Sequence, residues 1–135
     1  MKLCYLDTSA AMKLVVEEIE SARLTDALAD DRRLVASWLL HTELHCAAGR
    51  HRSDVPLGAV RQVLDAVDLV DLTRGDMIAA GTHRPLRSND AIHLAVAIRL
   101  GADELATYDD ELTAAAVAAG LAVAEQVHRD LAGGI

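Results

Sequence analysis

The sequence predicts an α/β fold: a parallel sheet of about five strands covered by helices on both faces. Three observations carry this expectation. Short apolar runs alternate with longer stretches of helical period along the chain. The short runs are apolar, as strands buried on both faces must be. Apolar residues make up 52% of the 135 residues, Phe is absent and Ala is abundant, so the core is built from aliphatic side chains and small faces that let helices pack closely on a sheet. The length suits a single domain spanning 1–135.

Residues Lys2 to Leu6 form the first apolar run and the first expected strand. Ser9 to Val16 reads as a helix capped by Thr8 or Ser9. Ile19, Ala22, Leu24, Ala27 and Leu28 give Glu18 to Asp30 a helical period. Arg33 to Ser37 is the second strand, and Ser37 can cap a helix running through Trp38 to Gly49. Leu57 to Ala66 is a helix with Pro56 at its first turn. Asp68 to Leu72 is the third strand and Arg74 to Thr82 a short helix. Asn89 to Leu100 is a helix capped by Ser88 or Asn89 and stopped by Gly101. Glu104 to Tyr108 is the fourth strand. Asp110 to Ala119 is a helix ended by Gly120, Leu121 to Ala124 a weak fifth strand, and Val127 to Leu131 a terminal helix. Trp38 is expected in the core.

The net charge of −8 opposes broad adhesion to nucleic acid or anionic lipid, although local charge matters more at a site than the total. No stretch approaches the ~20 apolar residues of a membrane span, and Asp7 interrupts the first apolar run too early for a signal peptide. Cys4 and Cys46 do not form a C-x-x-C and read as reduced thiols of a cytoplasmic protein.

In a doubly covered parallel sheet, ligands lie beyond the carboxyl ends of the strands, at the switch in strand order. Asp7 ends the first strand and Asp109 the fourth. Asp90 opens a helix, and Glu43 lies within the helix after the second strand. If the first and fourth strands are neighbours, Asp7 and Asp109 meet at one edge, and the two helices can reach it. Carboxylates gathered there repel each other and take up protons unless a cation relieves them. Oxygen ligands without His or Cys favour Mg²⁺ or Mn²⁺ over zinc, and such an ion polarises a phosphate and activates water. The reaction class is then phosphodiester hydrolysis. Each acid also has a plainer role: Asp7 and Asp109 or Asp110 as helix caps, Asp90 as a charge favourable to a helix dipole, Glu43 on an exposed helix face.

Tyr5-Leu6-Asp7-Thr8-Ser9-Ala10, Glu43 in its Leu-rich helix, Ser88-Asn89-Asp90-Ala91-Ile92-His93-Leu94-Ala95 and Thr107-Tyr108-Asp109 together resemble the PIN-domain family, in particular its VapC-type toxins of type II toxin–antitoxin modules. The likeness runs over nearly the whole chain. It implies a three-layer α/β/α sandwich with strand order 3-2-1-4-5 and a Mg²⁺-dependent endoribonuclease. It implies Asp7, Glu43, Asp90 and Asp109 as catalytic residues, with Asp7, Asp90 and Asp109 on the metal and Asp110 as second choice. Thr8 and Thr107 would support them through their hydroxyls. Family members usually form homodimers and are neutralised by a small antitoxin protein.

Arg50 and Arg52 follow the Glu43 helix, while Arg84 and Arg87 precede Asp90. These four are the RNA-binding candidates, since guanidinium suits phosphate. The scarcity of aromatic residues argues against a base-stacking platform. His41 and His45 share a helix face, but Glu43 points about 200° away from either, which disfavours a zinc site. His93 is expected to make a structural hydrogen bond or to support the acids. Ala11, Leu14, Ile19 and Leu24 are candidate dimer contacts. Four competing functions are weighed: a receiver-type phosphoacceptor, which lacks its second acid after the first strand and its late Lys; a HAD-like phosphatase, which would need D-x-D where the sequence has Asp7-Thr8-Ser9; a non-catalytic PIN-like interaction protein; and a DNA nuclease with the same metal chemistry.

Overall fold

Lys2–Leu6 (β1) is the central strand of a five-stranded parallel sheet. In this computed structural model, which describes residues 1–16, 31–52 and 54–123, Arg32–Ser37 (β2) and Asp68–Val70 (β3) extend the sheet on one side. Glu104–Ala106 (β4) and Ala122–Val123 (β5) extend it on the other, giving the order β3-β2-β1-β4-β5. The helices expected at 18–30 and 127–131 lie outside the described residues.

Among the described residues, six helices connect the strands: Thr8–Val15 (α1), Trp38–Arg50 (α2), Leu57–Asp65 (α3), Arg74–Ala80 (α4), Ser88–Arg99 (α5) and Asp110–Ala118 (α6). The chain steps outward from β1 to β3, then returns to β4 beside β1. Right-handed crossovers therefore send the helices of the two halves to opposite faces. The packing agrees: α1 lies against α2 and α3, while α4 and α6 lie against α5. The three-layer α/β/α sandwich follows.

Several boundaries differ from the sequence expectation. β3 stops at Val70 and β4 at Ala106, each two residues early, because no partner continues the ladder beyond them. Asp7, rather than Thr8 or Ser9, caps α1, and the helix begins at Thr8. α5 begins at Ser88 with Arg87 before it and no side-chain cap, which leaves Asn89 and Asp90 available for other contacts. Gly101 (φ +66°) and Gly120 (φ +89°) follow α5 and α6 in the left-handed conformation that terminates helices.

Tyr5, Leu6, Leu40, Leu44, Leu94, Leu105 and Leu112 are the large fully buried core side chains. Trp38 is not among them. It is 49% exposed, with its ring against His41. The line of α2 that meets the sheet is Leu40 and Leu44, and Trp38 lies about 200° round the helix from Leu40. Ala11 is wholly enclosed in the core, so it is no dimer contact of this fold; Leu14 packs partly against the same core. α5 is buried continuously from Ala91 to Ala97, and this carries the polar His93 into the interior.

Charges away from the carboxyl edge are neutralised locally. Glu104 pairs with Arg32, and Asp68 Oδ2 lies 2.6 Å from Arg33 Nε. The buried Asp76 completes a capping box with Thr73 and takes two bonds from Arg99, at 2.7 Å and 3.0 Å. Both cysteines are free thiols; burial, with the nearby Glu104, pushes Cys4 up to about 12. No helix among the described residues is long and apolar enough to cross a membrane.

Candidate active site

The site lies where α1 and α6 leave adjacent strands for opposite faces of the sheet. β1 and β4 are paired through Leu6 and Ala106, and the Asp7 N–H donates to the Ala106 carbonyl at 3.2 Å. The residues just beyond the paired ends, Asp7 and Thr107, therefore stand side by side. Asp7 is 2% exposed. Its Oδ1 accepts from the Ala10 N–H (2.9 Å) and the Ser9 hydroxyl (2.8 Å), and its Oδ2 from the Thr107 hydroxyl. The cap and site readings of Asp7 thus coexist in one carboxylate. Burial outweighs these bonds and raises its pKa.

Asp109 caps α6 by accepting from the Leu112 N–H at 2.8 Å, and its own N–H donates to Thr107 Oγ1 at 3.0 Å. Thr107 thereby links the two strand-end acids. Ser9 braces the same junction, accepting from the Tyr108 N–H at 2.8 Å. Asp110 is exposed as the first residue of α6.

Glu43 reaches the site from α2. Its Oε1 accepts from the Thr8 hydroxyl (2.8 Å) and lies 2.6 Å from His93 Nε2; its Oε2 accepts from Asn89 Nδ2 (3.0 Å). Burial alone would raise the Glu43 pKa, but the bonds from His93, Thr8 and Asn89 outweigh it and hold it below the ordinary value. Asp90, on the first turn of α5, makes no carboxylate hydrogen bond among the described residues. Its pKa is raised by burial, then by repulsion from Asp109 and Asp7, and further by Glu43. All four acids therefore share one electrostatic environment, and Asp90 feels the excess charge.

Among the described residues no three His, Cys, Asp or Glu side chains are grouped closely enough to enclose a metal ion by themselves. A cation here would have to keep several waters and take only one or two carboxylates, as Mg²⁺ does. Asp90, whose carboxylate makes no hydrogen bond among the described residues, has its oxygens open to meet one. His41 and His45 lie against each other at a tilt of 54°, with ring centroids 4.7 Å apart, while Glu43 of the same helix is turned to His93.

A comparison with known families matches residues 4–118 to the PIN domain. The chain belongs to the PIN-domain family. The PIN-domain chain is 39% identical over 127 residues to Ribonuclease VapC46 of Mycobacterium tuberculosis, covering 91% of this chain and 97% of the relative. The crystal structure of VapC20 of Mycobacterium tuberculosis, described as a sarcin–ricin loop cleaving toxin, superposes with TM-score 0.68 at 16% identity, over 83% of this chain and 94% of that one. VapBC2 from Rickettsia felis, solved bound to a DNA fragment from its promoter, gives TM-score 0.65 at 15% identity, over 90% and 96%. The three-layer sandwich and strand order implied by the family resemblance are those of this fold.

Within this PIN domain the sequence reading underrated His93 and passed over Ser9 and Asn89. His93 is 1% exposed and bonds to both Glu43 and Tyr5. A signal was present: Asn89 and His93 are four residues apart on one helix face, and both meet Glu43. Arg84 and Arg87 are exposed on the segment that leads into α5 and Asp90. Arg50 is exposed at the last turn of α2, about 10 Å along its axis from Glu43, and Arg52 is exposed just beyond the helix.

Proposed function

We propose that this PIN-domain protein is a divalent-metal-dependent endoribonuclease, the toxin of a type II toxin–antitoxin module. The observation that carries this reading is the shared field of Asp7, Glu43, Asp90 and Asp109 at the switch between β1 and β4. Four acids concentrated where α/β sheets bind ligands make sense as a cation and phosphate site. The relationship to named VapC ribonucleases supplies the substrate class.

Asp7, Asp90 and Asp109 would hold the cation, with Mg²⁺ or Mn²⁺ the ions that suit their oxygens. When bound, the cation supplies a Lewis acid for the scissile phosphate. Thr107 and Ser9 hold Asp7 in one rotamer, and Thr8 and Asn89 do the same for Glu43. Asp90, whose carboxylate makes no hydrogen bond among the described residues, keeps both oxygens open for the cation or for a water held beside it. Arg84 and Arg87, exposed on the segment that leads into α5 and Asp90, are the candidates for contacts with RNA phosphates, and the acidic protein needs such local positive charge. The physiological partners in this reading are RNA, a second copy of the chain and a small antitoxin, in the cytoplasm; a structural neighbour from Klebsiella pneumoniae is a toxin–antitoxin complex.

The test is to incubate the purified protein with total RNA in Mg²⁺, Mn²⁺ or EDTA and to map new ends. Cleavage at defined positions is expected with metal and is lost with EDTA. Metal-independent cleavage, or cleavage of DNA alone, overturns the proposal.

A further inference from the structure

We propose that Tyr5 and His93 are positioning residues, a buried hydrogen-bonded pair that holds the Glu43 carboxylate aimed into the active site. The inference rests on the ribonuclease reading and concerns groups that reading does not use.

The direction of each hydrogen bond follows from the carboxylate. Glu43 Oε1 can only accept, so His93 Nε2, 2.6 Å away, carries a proton and donates to it. In the neutral imidazole Nδ1 is then the acceptor, and it takes the proton of Tyr5 Oη at 2.7 Å. Tyr5 Oη in turn accepts from the Ser37 N–H at 3.3 Å. The opposite tautomer would set an unprotonated Nε2 against a carboxylate oxygen.

The chain of bonds also closes on itself. It starts at the backbone of Ser37, which caps α2, crosses β1 through Tyr5 and α5 through His93, and returns to α2 at Glu43. Five residues of helix separate its two ends, so the start of α2 and its carboxylate are referenced to the central strand. Tyr5 is 0% and His93 1% exposed. Neither can touch an RNA substrate, so any effect on cleavage must pass through Glu43 or through the Thr8 hydroxyl that is bonded to it and lies 3.5 Å from His93 Nε2.

The experiment combines Tyr5→Phe with ¹⁵N NMR of the histidine side chains. In the metal-free wild type, His93 is expected to show the Nε2–H tautomer; an Nδ1–H tautomer overturns the inference with no substrate present. Tyr5→Phe keeps the ring and removes one hydroxyl. It should lower kcat on RNA about ten- to a hundredfold, by analogy with the loss of an orienting hydrogen-bond partner in a metal site, with KM within about twofold. His93→Gln, which retains an N–H at the Nε2 position, should keep more activity than His93→Leu. Asp76→Ala, in the remote ion pair with Arg99, controls for loosening of the fold and should leave kcat unchanged in the folded protein. An unaltered kcat in Tyr5→Phe, or an equal loss in Asp76→Ala, overturns the inference while wild-type cleavage leaves the ribonuclease reading intact. A wild type that cleaves no RNA overturns both.

Discussion

Replacing Asp7 by Asn should separate stability from function. The carboxamide has the same shape as the carboxylate. Its Oδ1 can still accept from the Ala10 N–H and the Ser9 hydroxyl. Its amide nitrogen would donate to Thr107 Oγ1, whose hydroxyl can turn towards Ser9 Oγ at 3.4 Å. Three bonds survive, but with a neutral partner each is weaker by about 1 kcal/mol, or roughly 3 kcal/mol together. Against this, the wild type keeps a nearly fully buried carboxylate out of water, which costs several kcal/mol when ionised. The raised pKa of Asp7 shows that burial exceeds the bonds. Metal-free Asp7→Asn should therefore be about 1 kcal/mol more stable than wild type at pH 7, a rise in Tm of about 3–4 °C for a domain of this size. The sign with pH follows from linkage. A carboxyl whose folded pKa is raised loses stability as pH climbs from its ordinary value of 3.8 through the folded value. The advantage of the Asn variant should thus vanish near pH 3 and grow above it. Urea unfolding in EDTA across pH measures this. Mg²⁺ should stabilise the wild type alone, by mass action, and RNA cleavage by the variant should be undetectable. A variant less stable than wild type at pH 7 refutes the claim that burial dominates; a fully active one refutes the role of Asp7.

Glu43→Gln should behave in the opposite way. Three donors converge on Glu43, so the amide of Gln must face one of them, and a loss of about 1–2 kcal/mol is expected in urea unfolding, together with loss of cleavage. Because the folded pKa of Glu43 is lowered, its contribution is present above the ordinary 4.5 and is lost as pH falls through the folded value, which a pH series of wild type against Gln variant would show. Asp76→Ala removes the capping-box carboxylate and both bonds from Arg99; a half-exposed guanidinium rehydrates, so about 2–3 kcal/mol of stability should go, read as a shift of the urea midpoint at unchanged slope.

The lesson of Glu43 and Asp7 is that similar acids at one edge are held by opposite balances. Asp7 sits at a strand end where backbone geometry buries it, and its position was legible because a strand–helix junction in a parallel sheet has only one place to go. Glu43 lies mid-helix, where periodicity reports an angle about the axis but not the neighbour met at that angle. Its partners Thr8, Asn89 and His93 are 35, 46 and 50 residues away in the chain. Trp38 shows the same limit: a large aromatic beside Leu39 and Leu40 reads as core, yet its angle carries it past the sheet to solvent.

The sequence by itself determined the alternation of strands and helices, the family motifs and the acids that end β1 and β4, because these depend on local period, capping chemistry and composition. Only the tertiary structure decided that His93 lies between Tyr5 and Glu43 and that Asp90 is left without a hydrogen bond among the described residues while the other acids are bound. The physical reason is that burial and hydrogen-bond partnership are properties of packing between distant segments. The return of the chain from β3 to the far side of β1 creates those contacts, and no local stretch of residues encodes them.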